Sequence, residues 1–252
     1  MKRCDLKVAG IPAILWGEKS ERIFVAVHGN MSNKADDVIV IFAEEAVQSG
    51  CRVLSFDLPK HGDRKKEPAL CKIQNCVEDL NSIMRYAKSI TENVGVFGCS
   101  MGAYFALTAY GHERLGQAMF LSPVVDMEAV ILGMMRWFDI TEERLMREKE
   151  IATPAGEVLY WDYYRYVKEH PVANWRTPTS ILYGSEDSLT DFDTISSFSS
   201  RFNSDLEVME NGEHYFHTGE QLSFFRKWAN DKLQSGLRRA PGQGAGEKAN
   251  GV

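Results

Sequence analysis

The sequence predicts an α/β fold, a mostly parallel sheet covered on both faces by helices. Three observations predict it. Short β-rich apolar runs alternate with longer segments whose apolar residues recur at helical spacing, the pattern of successive βαβ units. The residues with chemical potential fall just after those apolar runs, and open parallel sheets place their sites at the C-terminal ends of strands. The length, 252 residues with 44% hydrophobic content, suits one globular domain able to bury a full core.

The elements follow in order. Residues 5–9 and 11–16 read as an opening antiparallel pair, and 23–27 as a short apolar strand. Residues 35–48 carry Val38, Ile39, Phe42 and Ala46 at helical spacing and stop at Gly50; 52–56 is the next strand. Residues 73–88 form an amphipathic helix through Ile73, Val77, Leu80, Ile83, Met84 and Ala87. A strand at 94–97 runs into a helix that begins with small and apolar residues at 103–107, and 118–121 is the strand after it. Strands at 180–183 and 206–209 and a helix at 222–233 complete the pattern.

Residues 124–176 break the rhythm. They read as helices over 127–138, 141–149 and 160–168, with Thr141 ahead of Glu142 and Glu143 as a helix start. The stretch holds Trp137, Phe138, Tyr160, Trp161, Tyr163, Tyr164 and Tyr166, which predict an apolar or aromatic pocket under a helical lid. The expected organisation is therefore a core of residues 1–123 and 177–234, a helical lid at 124–176, and a flexible tail at 235–252, where glycine and charge replace apolar residues.

Composition excludes several classes. Net charge is −6, and the basic runs Arg64-Lys65-Lys66 and Arg238-Arg239 are too short for a nucleic-acid footprint; a solvated face is expected for both. No secretory signal and no membrane span is expected, because the apolar stretch after Met1-Lys2-Arg3 is short and broken by Pro12. Cys4, Cys51, Cys71, Cys76 and Cys99 are odd in number and scattered, which suits free thiols and a cytoplasmic location. Cys71 and Cys76 lack a second ligand pair, so no metal site is expected.

The most specific motif is Gly98-Cys99-Ser100-Met101-Gly102, a G-x-S-x-G set between a strand and a helix. A serine on that sharp turn stands clear of the sheet, with the helix N-terminus below it to favour negative charge. A serine hydroxyl needs a base within hydrogen-bond reach, and the base needs an orienting carboxylate. Among the six histidines His214 is preferred, in a loop after the last strand with Gly212 ahead of it to supply the bend; His217, expected inside the first helical turn, is the rival. His28, directly after a strand, has a different use, and His112 and His170 lie in surface contexts. Asp187 in Gly184-Ser185-Glu186-Asp187 is the preferred acid, with Asp126 the rival and a helix N-cap the structural alternative. For the oxyanion the expected donors are the backbone amides of Met101 and Asn30. Cys99 is expected to pack under the turn.

Together these residues resemble the α/β-hydrolase superfamily of serine hydrolases, esterase- and lipase-like, across residues 5–234. The resemblance rests on the His28-Gly29-Asn30 loop, the Asp57 to Gly62 segment, the elbow at 98–102, Gly184 with Asp187, and His214. The order Ser100, Asp187, His214 is the family's order. The segment at 57–62 looks like the family's D-x-P-G-H-G turn, with Lys60 in place of the first glycine; Asp57 and His61 are expected to be structural. The resemblance implies an eight-stranded sheet with a lid after the sixth strand. The oxyanion loop is not the longer His-Gly-Gly-Gly type.

The expected function is a serine hydrolase cleaving a small carboxylic ester or thioester, with Ser100 as nucleophile, His214 as base and Asp187 as its orienter. This chemistry requires no cofactor. The expected partner is a small-molecule acyl substrate, with no nucleic acid, and homo-oligomerisation stays open. Amide, peptide or C–C bond hydrolysis on the same residues is the alternative, and a non-catalytic ligand receptor of the same fold is the second class; a partner-docking role for the lid aromatics is a third. Dehalogenase- and epoxide-hydrolase-like chemistry is disfavoured, because it needs a carboxylate where Ser100 stands.

Overall fold

A computed structural model describes residues 1–239. Ten strands and eight helices follow one another in the order β1 (Arg3–Val8), β2 (Ile11–Trp16), β3 (Ile23–Val27), α1 (Asp37–Gln48), β4 (Arg52–Phe56), α2 (Ile73–Ile90), β5 (Val94–Cys99), α3 (Met101–Ala109) and β6 (Ala118–Leu121). Then come α4 (Met127–Trp137), α5 (Glu142–Glu148), β7 (Glu150–Ala152), β8 (Val158–Tyr160), α6 (Trp161–Glu169), β9 (Thr179–Gly184), α7 (Phe192–Phe202), β10 (Asp205–Met209) and α8 (Gly219–Arg239).

Eight strands form one sheet in the order β1-β2-β4-β3-β5-β6-β9-β10. β2 pairs antiparallel with β1 and with β4, and every pairing from β4 to β10 is parallel. Because successive strand residues point to opposite faces, β3 feeds two cores at once. Ile23, Val25 and Val27 pack into the core shared with α2 and α3, while Phe24 and Ala26 pack into the core shared with α1 and α8. On the second face Phe42 of α1 stacks on Phe97 of β5 at 4.1 Å between centroids and meets Phe24 edge-on at 5.3 Å.

The excursion between the sixth and seventh strands of the sheet spans α4 to α6 and includes a two-stranded antiparallel ribbon, β7–β8, that the sequence reading did not anticipate. Helix α7, capped by Asp191 accepting from the Thr194 amide at 2.8 Å, was also not expected. Helix α8 runs on to Arg239, so the first five residues of the expected tail continue a helix; residues 240–252 lie outside the described part. Arg64 corrects another expectation. It is buried, because its guanidinium bonds Asp79 at 2.7 Å, Glu67 at 2.8 Å and the Asp57 carbonyl at 3.1 Å.

Candidate active site

Ser100 sits on the turn between β5 and α3 with φ 52° and ψ −121°, a backbone conformation that costs a residue bearing a β-carbon. The neighbouring chain holds it there. The Ser100 amide donates to the Leu121 carbonyl at 3.0 Å, and its own carbonyl accepts from Val124 at 3.1 Å and from Ala103 at 3.1 Å. The turn also lies hard against the loop after β3. A β-carbon at Gly102 would collide with the carbonyls of Val27 and His28, and one at Gly29 would stand 3.2 Å from the Ser100 β-carbon.

The structure brings together the three residues singled out from the sequence. Ser100 Oγ lies 2.8 Å from His214 Nε2, and His214 Nδ1 lies 2.7 Å from Asp187 Oδ2. With Asp187 ionised, Nδ1–H donates to it, which leaves Nε2 free to accept the Ser100 proton. The Asp187 side chain is fully buried, and its other oxygen accepts from the amides of Leu189 at 2.8 Å and Thr190 at 3.0 Å. The two loops are tied to each other as well: the Glu186 amide donates to the Gly212 carbonyl at 2.8 Å, and the Asn211 amide to Ser185 Oγ at 2.8 Å.

The rivals stand elsewhere. Asp126 caps α4, accepting from the Ala129 amide at 3.0 Å. His217 precedes α8 rather than lying in its first turn; its Nδ1 faces the Tyr215 carbonyl at 2.8 Å, and its amide is held by Gln221. His28 is fully buried, with Nδ1 on the Gly29 carbonyl at 2.7 Å and Nε2 accepting from the Leu58 amide at 3.1 Å. Burial pulls its pKa down to about 4. Asp57, fully buried, accepts from the Lys34 ammonium at 2.6 Å and amide at 2.9 Å and from the Asp63 amide at 2.9 Å, and so ties the loop after β4 to the segment after β3. His61 braces the loop after β3, accepting from the Met31 amide at 3.1 Å.

A cavity of about 630 Å³ opens beside Ser100. Asn30, Ser100 and Met101 line it, and among the described residues no protein acceptor takes the amide of Asn30 or of Met101. Of the aromatics at 124–176, Tyr160 and Tyr163 line it, and most of its other apolar lining residues are aliphatic or methionine, including Val130, Ile131, Met134, Leu159 and Leu189. Trp137, by contrast, ends α4 with 62% of its surface exposed. The Asn30 side chain, in a contact the sequence gave no means of seeing, donates to Glu157 at 2.8 Å and so links the loop after β3 to the turn of the β7–β8 ribbon.

Cys71 lines the same cavity. Neighbouring Cys76 pulls its thiol down against the opposing cost of burial, with His61 adding to the lowering. Cys99 behaves oppositely: burial pushes its thiol up to about 12. Among the described residues no cluster of three or more His, Cys, Asp or Glu side chains is arranged to hold a metal, and no helix is long and apolar enough to cross a membrane.

The sequence matches no family model and no curated protein. Solved structures do match. The esterase Est1E from Butyrivibrio proteoclasticus, in a structure with ferulic acid bound, superposes with a TM-score of 0.76 at 18% identity, covering 94% of this chain and 100% of that one. Mouse alpha/beta hydrolase domain-containing protein 10 gives 0.74 at 15% identity, with 93% and 99% covered. The Pyrococcus furiosus esterase Pf2001 gives 0.69 at 17% identity, with 96% and 91% covered. At these identities the likeness is one of fold, and the fold is that of the α/β-hydrolases.

Proposed function

We propose that the protein is a serine hydrolase that cleaves a small carboxylic ester or thioester through an acyl-enzyme on Ser100. The observation that carries this reading is the unbroken pair of hydrogen bonds from Ser100 Oγ through His214 to buried Asp187, at the edge of a largely apolar cavity. In this reading His214 Nε2 takes the Ser100 proton as Oγ attacks the acyl carbon, and the proton then passes to the departing alkoxide or thiolate. Asp187 holds the imidazole in the required tautomer and stabilises its cation. The amides of Asn30 and Met101 receive the developing oxyanion, where each donor is worth ~10²–10³ in rate. Water activated by His214 then cleaves the acyl-enzyme and restores Ser100. Residues 124–176 act as the lid that shapes the acyl pocket. Similarity to two esterases favours an ester over an amide, although the same three residues would serve either.

The test is fluorophosphonate labelling with peptide mapping, run beside turnover of p-nitrophenyl acetate and butyrate. Label on Ser100, with Ser100→Ala and His214→Ala each reducing kcat by ~10⁴ or more, is the expected result. A folded protein that neither labels nor turns over would sink the hydrolase reading and leave a ligand receptor of the same fold.

A further inference from the structure

Around the Ser100 cavity the cations are not equally occupied. Lys34 is shared between Asp57 and Asp63 at 2.6 and 2.7 Å. Arg64 is held by Glu67 and Asp79. Lys72, on the cavity wall, is gripped by both oxygens of Asp162 at 2.7 and 2.8 Å and lies 3.9 Å from the Tyr160 ring centroid. Lys60 and Lys65 line the cavity too, are exposed, and have no carboxylate partner among the described residues. The one carboxylate on the cavity lining, Glu157, is engaged with Asn30.

Lys60 adds an independent observation. Its φ is 68°, in the left-handed region where glycine sits at no steric cost and a side chain does not. That φ belongs to the turn closed by the His61 amide on the Leu58 carbonyl at 3.1 Å, and no ion pair of the Lys60 ammonium within the described protein offsets its cost. A strained residue at the mouth of a reactive cavity points to a role in function. The chain as a whole carries a net charge of −6, so two unpaired cations at one cavity also stand against the prevailing field.

We propose that Lys60 and Lys65 form an anion-recognition subsite at the mouth of the Ser100 cavity, selecting esters or thioesters that carry a carboxylate or phosphate away from the scissile bond. The proposal rests on the hydrolase reading above for its substrate class. The anion belongs either to the acyl group or to the leaving group, and the substrate panel separates the two.

The experiment compares kcat/KM for p-nitrophenyl hydrogen glutarate, charged in the acyl part, butyryl-coenzyme A, charged in the leaving group, and neutral p-nitrophenyl butyrate. In Lys60→Glu/Lys65→Glu the ratio of one charged substrate to the neutral one falls by about tenfold or more, and rising salt erodes the same ratio in the wild type. Lys60→Gly suits the backbone and so keeps the fold, and it lowers the ratio in the same direction. Ratios that stay fixed in both variants overturn the proposal. A second readout needs no turnover: Ser100→Ala protein is titrated calorimetrically with coenzyme A, glutarate and neutral butyramide. Charged probes that bind more tightly than butyramide, and lose that advantage with Lys60→Glu/Lys65→Glu, support the subsite. Equal or absent binding of all three overturns it. Failure of the hydrolase reading would show instead as unlabelled Ser100 and no turnover of any ester.

Discussion

Single residues in this cavity owe their chemistry to what touches them. Ser100 is held in a strained backbone conformation by three main-chain hydrogen bonds, and its hydroxyl meets an imidazole whose other nitrogen is already committed to Asp187. Two cysteines near it receive opposite treatment. Cys71 is held below the ordinary thiol value by Cys76, with His61 helping; Cys99 is half-buried against apolar groups, and desolvation pushes its thiol up to about 12. The thiolate is the reactive form, so alkylation follows its population. Iodoacetamide labelling mapped across ~pH 5–9 will show Cys71 modified with a midpoint below the ordinary thiol value of about 8.5, while Cys99 stays unmodified. A Cys71 midpoint at the ordinary value would mean that the Cys76 contact does not persist in solution. Cys99→Ala, by the same logic, retains most of the proposed hydrolase turnover, and a loss near a thousandfold would point to the wrong nucleophile.

Between elements the decisive contact is the crossing of the β5–α3 turn and the loop after β3. Gly102 leaves no room for a β-carbon against the Val27 and His28 carbonyls, so Gly102→Ala must push the two segments apart. Denaturant unfolding should show a loss of about 2 kcal/mol, with the proposed hydrolase turnover falling further than stability because the Asn30 and Met101 amides, proposed to receive the oxyanion, move relative to Ser100. Unchanged stability would show that the turn has slack. The β5–α3 turn itself was legible in advance because glycines two before and two after a serine, between an apolar run and a helix, mark a strand-to-helix elbow; its crossing against the loop after β3 was not. Other elements hid themselves. Helix α7 does repeat Phe192, Ile195, Phe198 and Phe202 at helical spacing, but four serines between them mask the stripe, and the Asp191 cap was the missed signal. The β7–β8 ribbon has only three residues per strand, too few for periodicity to register. Which of the aromatics at 124–176 would face the cavity was hidden for a related reason: type and count of side chains were readable, but the direction each takes from its helix depends on packing that no local pattern encodes.

Across the molecule, the strands of the sheet supply both cores, and its mostly parallel character follows from alternating strands and helices that the sequence shows plainly. The buried polar groups that brace the loops were less visible, since burial of a histidine or an aspartate is a property of the whole fold. His28 makes that property measurable. It is fully buried between the Gly29 carbonyl and the Leu58 amide, and folding lowers its pKa from 6.5 to about 4. Between those values the unfolded chain binds a proton that the native protein refuses, so stability rises with pH through this window and falls as acid is added. The slope from this one group is at most about 1.4 kcal/mol per pH unit, amounting to about 3 kcal/mol across the window, and it vanishes below about pH 4, where both states are protonated. Unfolding free energies from urea titrations at a series of pH values test this when wild type is compared with His28→Gln, which cannot titrate. The variant should be less stable near neutrality, having lost a fitted hydrogen-bonding ring, and its deficit should shrink as pH falls from about 6.5 to about 4. Parallel curves would mean that carboxylates alone set the acid limit and that His28 is protonated in the native protein at little cost.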